Sequence, residues 1–153
     1  MKILLDTTYL LPVIGISLKD FPRDVSIMLR RKGNQVFMSD ISIFELSAKG
    51  AKYVSAKKLP AERVIEGIRA IVFDENIVKI PIHESRILLT ALRIRDWLND
   101  FIDCLIVSSA LNQCDALISE DTDIQSLEEN RAFHELLEII NPKFEIRTLA
   151  EIT

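Results

Sequence analysis

Five short apolar runs punctuate the chain: Lys2 to Leu5, Gln35 to Met38, Ile77 to Ile82, Ala116 to Ile118 and Phe144 to Ile146. Their length and apolar content predict strands covered on both faces, the condition of a parallel sheet. Between them, apolar positions recur at helical spacing. The stripes are Val25, Met28 and Leu29; Ile41, Phe44 and Ala48; Val64, Ile65, Ile68 and Val72; Ile87, Leu88, Ala91 and Leu92; and Ile106, Val107 and Ala110. Strand and helix thus alternate. That order predicts an α/β fold with right-handed crossovers and with chemically active groups at the carboxyl ends of its strands.

Composition bounds the picture without changing it. At 153 residues and 48% hydrophobic content, the chain suffices for one domain with a real core, expected to span residues 1–153. No repeat, low-complexity stretch or Pro/Gly-rich linker divides it. No window approaches the ~20 apolar residues of a membrane span, and the start lacks the pattern of a signal peptide, so no membrane association and a cytoplasmic location are expected. Cys104 and Cys114 lack CxxC spacing and a nearby histidine pattern, which predicts buried free thiols.

Acidic residues supply the candidate chemistry. In "KILLDTT", Asp6 stands directly after an apolar strand. It is either a turn or capping residue or a functional carboxylate at the sheet edge; Thr7 and Thr8 can cap a helix beginning near Tyr9. In "SDISIFELSAKG", Ser39 is expected to cap a helix whose inward stripe is Ile41, Phe44 and Ala48, with Glu45 at the margin of that stripe. Glu45 can pair with Lys49 at i, i+4, or it can face a metal. In "NDFIDCLIVSSAL", Asp103 heads the stripe of Ile106, Val107 and Ala110. It also fits the third helical position of a capping arrangement begun by Asp100. "ALISEDTDI" ends a strand at Ser119 and continues with Glu120, Asp121, Thr122 and Asp123. Asp123 is the simplest N-cap for the next helix, leaving Glu120 and Asp121 with no structural task. An EF-hand is excluded, since counting from Asp121 the sixth position is Ser126 and the twelfth Ala132.

Four carboxylates, two at strand ends and two near the inward faces of helices, would repel one another unless cations neutralise them. Oxygen-only ligation is what Mg²⁺ or Mn²⁺ prefers. The formal charge of −4 equals what two divalent ions balance, and such a centre suits phosphodiester hydrolysis.

These motifs resemble those of the PIN domain nucleases and, within them, the VapC type of toxin ribonuclease. The resemblance covers essentially the whole chain: Asp6 with Thr7 after the first strand, the helical Glu45, Asp103 in "IDCLIVSSAL", and "LISEDTDI". It implies a three-layer α/β/α sandwich with a mainly parallel sheet, Mg²⁺-dependent (or Mn²⁺-dependent) RNA cleavage, often a homodimer, and restraint by a small antitoxin. It assigns Asp6, Glu45, Asp103 and Asp121 as metal-binding catalytic acids, Asp123 as an auxiliary acid, and Thr7 and Ser119 as supporting groups. Glu120 departs from the basic or amide residue common before the fourth acid, and Ile124 from an aromatic.

The family also contains nucleases that are not toxins and members that serve as interaction modules. Among basic residues, Lys49 and Lys52 are selected for RNA contact because their helical spacing aims them to the side of Glu45. Arg30, Arg31, Lys32, Lys57 and Lys58 are read as a solvated face. His83 is expected to begin a helix and receives no catalytic role. A second hypothesis, a non-catalytic receiver-like module, would need a lysine at a late strand end, for which Lys143 is poorly placed.

Overall fold

The five apolar runs pair into one all-parallel sheet. The computed structural model describes all residues, Met1–Thr153. Its strands are β1 (Lys2–Leu5), β2 (Gln35–Ser39), β3 (Ile77–Ile80), β4 (Ala116–Ile118) and β5 (Glu145–Arg147), in the spatial order β3-β2-β1-β4-β5. A 3₁₀ helix (Thr7–Ile14) follows β1. The α-helices are α1 (Val25–Arg31), α2 (Ile41–Ser55), α3 (Ala61–Phe73), α4 (Ser85–Ile94), α5 (Phe101–Gln113), α6 (Thr122–Ser126), α7 (Arg131–Ile140) and α8 (Leu149–Ile152).

The register sorts side chains between two cores. Leu4 is level with Phe37 and Leu117, and these residues, with Ile80 and Ile146, meet α4, α5 and α7 on one face. Ile3, Leu5, Val36, Met38, Ile77 and Ile118 meet the 3₁₀ helix, α1, α2 and α3 on the other. The result is the expected three-layer α/β/α sandwich. Helix α5 is buried from Cys104 through Leu111, because it lies between α4, the sheet and α7. Burial also pushes the free thiols of Cys104 and Cys114 up, to about 11 and about 12, as expected for structural cysteines.

β1 lies at the centre, with the chain winding out through β2 and β3 on one side and through β4 and β5 on the other. The winding reverses at β1, so the crevice at the carboxyl ends of β1 and β4 is a topological switch point, where open α/β sheets bind ligands.

Several local expectations are corrected. Helix α2 buries Ser42, Leu46 and Gly50 rather than Ile41, Phe44 and Ala48, and Phe44 is 61% exposed. Helix α3 turns Val64, Gly67 and Ile71 inward and leaves Ile65 exposed. The cause is close helix packing at glycine. A Cβ on Gly50 would stand 2.5 Å from Val64 Cγ1, and one on Gly67 would stand 2.4 Å from the Val13 carbonyl oxygen. The smallest residues thus mark the contact faces, which apolar periodicity does not detect. Helix α4 likewise presents Leu88 and Leu92 outward and packs through Ile87, Ala91 and Ile94.

Capping differs too. The 3₁₀ helix starts at Thr7 with Asp6 as its cap and contains Pro12. Ser39 remains in β2, and Asp40 takes the first capping position of α2 with its side chain turned to the Ile82 N–H and not to the helix.

Candidate active site

Asp6 ends β1 and is 7% exposed. Its backbone amide donates to the Ile118 carbonyl of β4. Oδ1 accepts the Thr7 N–H at 2.7 Å, and Oδ2 accepts the Ser119 hydroxyl at 2.6 Å. The capping reading of this aspartate holds, since one oxygen caps the 3₁₀ helix, while the other bonds to the end of β4. Burial pushes its carboxyl above the ordinary value, against the two hydrogen bonds, and the charges of Glu45 and Asp121 push it further.

Thr7 reaches the opposite way, to α2. Its Oγ1 lies 2.6 Å from Glu45 Oε1 and 2.8 Å from Ser42 Oγ. A threonine hydroxyl has one proton, so Thr7 donates it to the carboxylate and accepts from Ser42. Ser42 is a site residue that sequence reasoning missed; its only signal was a small polar residue three positions before Glu45. No ion pair joins Glu45 to Lys49, because the ion pairs of the molecule are Arg131 with Glu135 and Arg147 with Glu145. Lys49 and Lys52 are both exposed on α2.

Asp103 stands in the first turn of α5, after the Asp100 cap, whose side chain accepts the Ile102 N–H at 2.9 Å. Its own carboxylate accepts no protein hydrogen bond. Burial, together with the charges of Asp100, Asp6, Asp121 and Glu45, pushes it up to about 7. These electrostatic influences link Asp6, Glu45, Asp103 and Asp121, which come from four different elements.

At the edge of β4, Ser119 Oγ also accepts the Asp121 N–H at 3.1 Å. Asp121 caps α6, its Oδ1 accepting the N–H groups of Asp123 and Ile124. The expected roles of Asp121 and Asp123 as cap are thus exchanged. Asp123 is exposed, and its charge is not among the main influences on Asp6 or Asp103. Glu120 has a structural task after all: Oε1 accepts the Tyr9 hydroxyl at 2.7 Å and the Leu149 N–H at 2.9 Å. Burial and Glu120 together push the Tyr9 hydroxyl above its usual range.

A hard divalent cation needs oxygen ligands. All four acids offer oxygen. Glu45 Oε2, Asp121 Oδ2 and both Asp103 oxygens are free of protein hydrogen bonds, and no lysine or arginine pairs with any of the four. In this conformation no three of these side chains gather closely enough to share one ion. The chemistry of the donors, oxygen throughout, fits a divalent cation. Pocket size does not locate the centre: a groove of about 550 Å³ lies beyond Glu120, lined by Phe21, Met28 and Leu149, and contains none of the four acids. No helix is long and apolar enough to cross a membrane.

No curated protein matches the sequence significantly. Among solved structures, a chain from the crystal structure of VapBC2 from Rickettsia felis, bound to a DNA fragment from their promoter, matches with a TM-score of 0.58 and 17% identity. The match covers 97% of this chain and 98% of that one. At such identity the likeness speaks for the fold. The sequence model of the PIN domain family matches residues 3–130, a span that holds Asp6, Glu45, Asp103 and Asp121. By that match, over most of its length, the chain belongs to the PIN domain family.

Proposed function

We propose that this protein is an endoribonuclease that hydrolyses RNA phosphodiester bonds with a divalent cation, Mg²⁺ or Mn²⁺, and that it is the toxin of a toxin–antitoxin pair. One observation carries the nuclease reading. The charges of Glu45 and Asp121 act on both Asp6 and Asp103, beside the sheet's switch point, and no basic side chain pairs with any of the four. Folding alone gives no reason to leave such a group uncompensated.

Asp6, Glu45, Asp103 and Asp121 are the residues that would hold the cation. A bound divalent cation supplies Lewis acidity toward the phosphate and lowers the pKa of the attacking water. The chain's own groups orient the acids. Ser119 and the Thr7 amide fix Asp6 from two sides, and the Ser42–Thr7 hydroxyl pair holds one oxygen of Glu45. Asp103, pushed up to about 7, must lose its proton before it ligates. Lys49 and Lys52, exposed one and two turns beyond Glu45, are the residues that would meet backbone phosphates. Asp123 is exposed on the first turn of α6 and serves as an outer acid.

The toxin reading is supported by the fold shared with a chain of a VapBC complex. It implies a small antitoxin that covers the acidic crevice, with an arginine paired to its carboxylates, and a homodimeric toxin. The test is cleavage of single-stranded RNA by purified protein. Cleavage is expected with Mg²⁺ or Mn²⁺, and none with EDTA or after Asp6→Asn or Asp103→Asn. Full-rate cleavage in EDTA would overturn the metal reading. Expression in a bacterial host should arrest growth for the wild type and not for Asp6→Asn. Equal growth at matched soluble levels would remove the toxin role and leave a nuclease of RNA processing.

A further inference from the structure

Ser39 ends β2, and its side chain is wholly buried. Its Oγ is the one buried side-chain polar atom of the protein that has no hydrogen-bond partner. Buried hydroxyls are nearly always bonded, so an orphan calls for a partner that the protein does not supply.

Its place in the sheet shows where that partner lies. Phe37 faces the α5 layer and Met38 the opposite layer, so Ser39, next in the alternation, faces α5. Asp6 follows Leu4 by two residues and Ser119 follows Leu117 by two, and Leu4 and Leu117 also face α5. Leu4 is level with both Phe37 and Leu117. Ser39, Asp6 and Ser119 therefore form a polar row across three adjacent strands, one step beyond the apolar row Phe37–Leu4–Leu117. Helix α5, with Asp103 in its first turn, packs over β1 and β2 on this face. Two members of the row, Ser119 and Asp6, are bonded to each other; the third is not. Were Ser39 present to hold Asp6, its hydroxyl would bond that carboxylate from the β2 side as Ser119 does from the β4 side.

We propose that Ser39 belongs to the acidic centre, where its hydroxyl hydrogen-bonds a water of the hydrated divalent cation held by Asp6 and Asp103 and so helps to set how tightly the cation is held. This rests on the reading of the centre as a cation site. Mg²⁺ sheds its waters reluctantly and is bound through few carboxylates, so neutral hydroxyls beside those carboxylates contact the hydration shell. Ser39 suits that place because it is buried, uncharged and able both to donate and to accept. As a group that touches the cation's water and not the cation, it is a positioning residue.

The experiment is calorimetric titration of MgCl₂ into metal-stripped protein, alongside thermal melts of the same samples. Ser39→Ala is expected to weaken Mg²⁺ binding about tenfold, the loss typical of an outer-shell partner. Its metal-free melting temperature should equal or exceed that of the wild type, since alanine removes an unsatisfied group. Ser39→Thr, which keeps the hydroxyl on a residue suited to a strand, should bind with near wild-type affinity. Equal affinity in wild type and Ser39→Ala would overturn the role of Ser39 and leave the cation site standing. A lower metal-free melting temperature with unchanged affinity would also overturn it, marking the hydroxyl as the partner of a structural water. Absence of saturable Mg²⁺ binding in the wild type would overturn both the role and the cation site.

Discussion

Across the crevice between β1 and β4, the Ser119 hydroxyl donates to Asp6 Oδ2 at 2.6 Å, while Ser119 Oγ itself accepts the Asp121 N–H at 3.1 Å. One side chain thus orients a buried carboxylate and fixes the backbone of a second acid. Ser119→Ala removes both bonds and leaves Asp6 with a single donor. The metal-free protein should lose about 1–3 kcal/mol of stability at neutral pH, the usual cost of stripping a partner from a buried charged group. Urea denaturation measures it, and a loss under ~0.5 kcal/mol would show that the carboxylate does not depend on this bond.

Asp103 makes metal-free stability depend on pH. Its carboxyl titrates near 7 in the folded chain, against 3.8 ordinarily. Between those values the folded state binds more protons than the unfolded, so stability falls as pH rises. The contribution is fully present below about 3.8 and lost by about 7. Asp103→Asn should flatten the fall in melting temperature between pH 5 and pH 7 and raise the melting temperature at neutral pH. Mg²⁺ affinity should rise through the same interval, because a deprotonated Asp103 is the ligand. An unchanged pH profile in the variant would place the titration elsewhere.

Glu120 ties two elements to the loop after β4, accepting from Tyr9 on the 3₁₀ helix and from the amide that opens α8. Tyr9 is 2% exposed, so its hydroxyl has little access to water as a substitute. Tyr9→Phe should cost about 1.5–3 kcal/mol, as for a bond to a charged group, and Glu120→Gln less, since an amide oxygen still accepts. A double-mutant cycle on the pair should show coupling near 1 kcal/mol or more. Additive losses would mean that the two groups act independently.

The two packing glycines should respond differently to alanine. At Gly67 the new methyl meets backbone, the Val13 carbonyl at 2.4 Å and Ile14 Cα at 2.6 Å; at Gly50 it meets the side chain of Val64. Backbone cannot step aside without moving the 3₁₀ helix. Gly67→Ala should therefore cost about 3 kcal/mol or more, at the upper end for overpacking. Gly50→Ala should cost roughly 1 kcal/mol or less, because Val64 can shift and alanine gains about 1 kcal/mol in helix propensity. Similar melting temperatures for the two variants would contradict this packing.

The strands were legible because a strand buried on both faces leaves one unmistakable mark, a short apolar run. β4 coincides with the predicted Ala116–Ile118, and β1 with Lys2–Leu5. The helices were legible as helices but not as faces: Phe44 and Ile65 fit an apolar stripe, yet the chain packs α2 and α3 through Gly50, Leu46, Val64 and Gly67. Periodicity counts greasy residues, whereas close packing selects small ones. At the site, acids beside strand ends and helix starts drew attention to Asp6, Glu45, Asp103 and Asp121. What escaped were the uncharged links, Ser42 and the orphan Ser39, along with the exchange of caps between Asp121 and Asp123. Thr7 and Ser119 were named only through the family resemblance; the role of a hydroxyl without such a motif depends on which element lies alongside.

The central position of β1 has a consequence for biosynthesis. Its first neighbour, β2, follows within the first 39 residues, but its second neighbour begins only at Ala116. A nascent chain emerging from the ribosome therefore carries β1 with one open edge and Asp6 without Ser119 until most of the polypeptide has been made. The Asp6–Ser119 bond spans 113 positions. Fragments released by premature termination before β4 lack the crevice altogether, so the activity proposed for the protein is withheld from incomplete copies by topology alone.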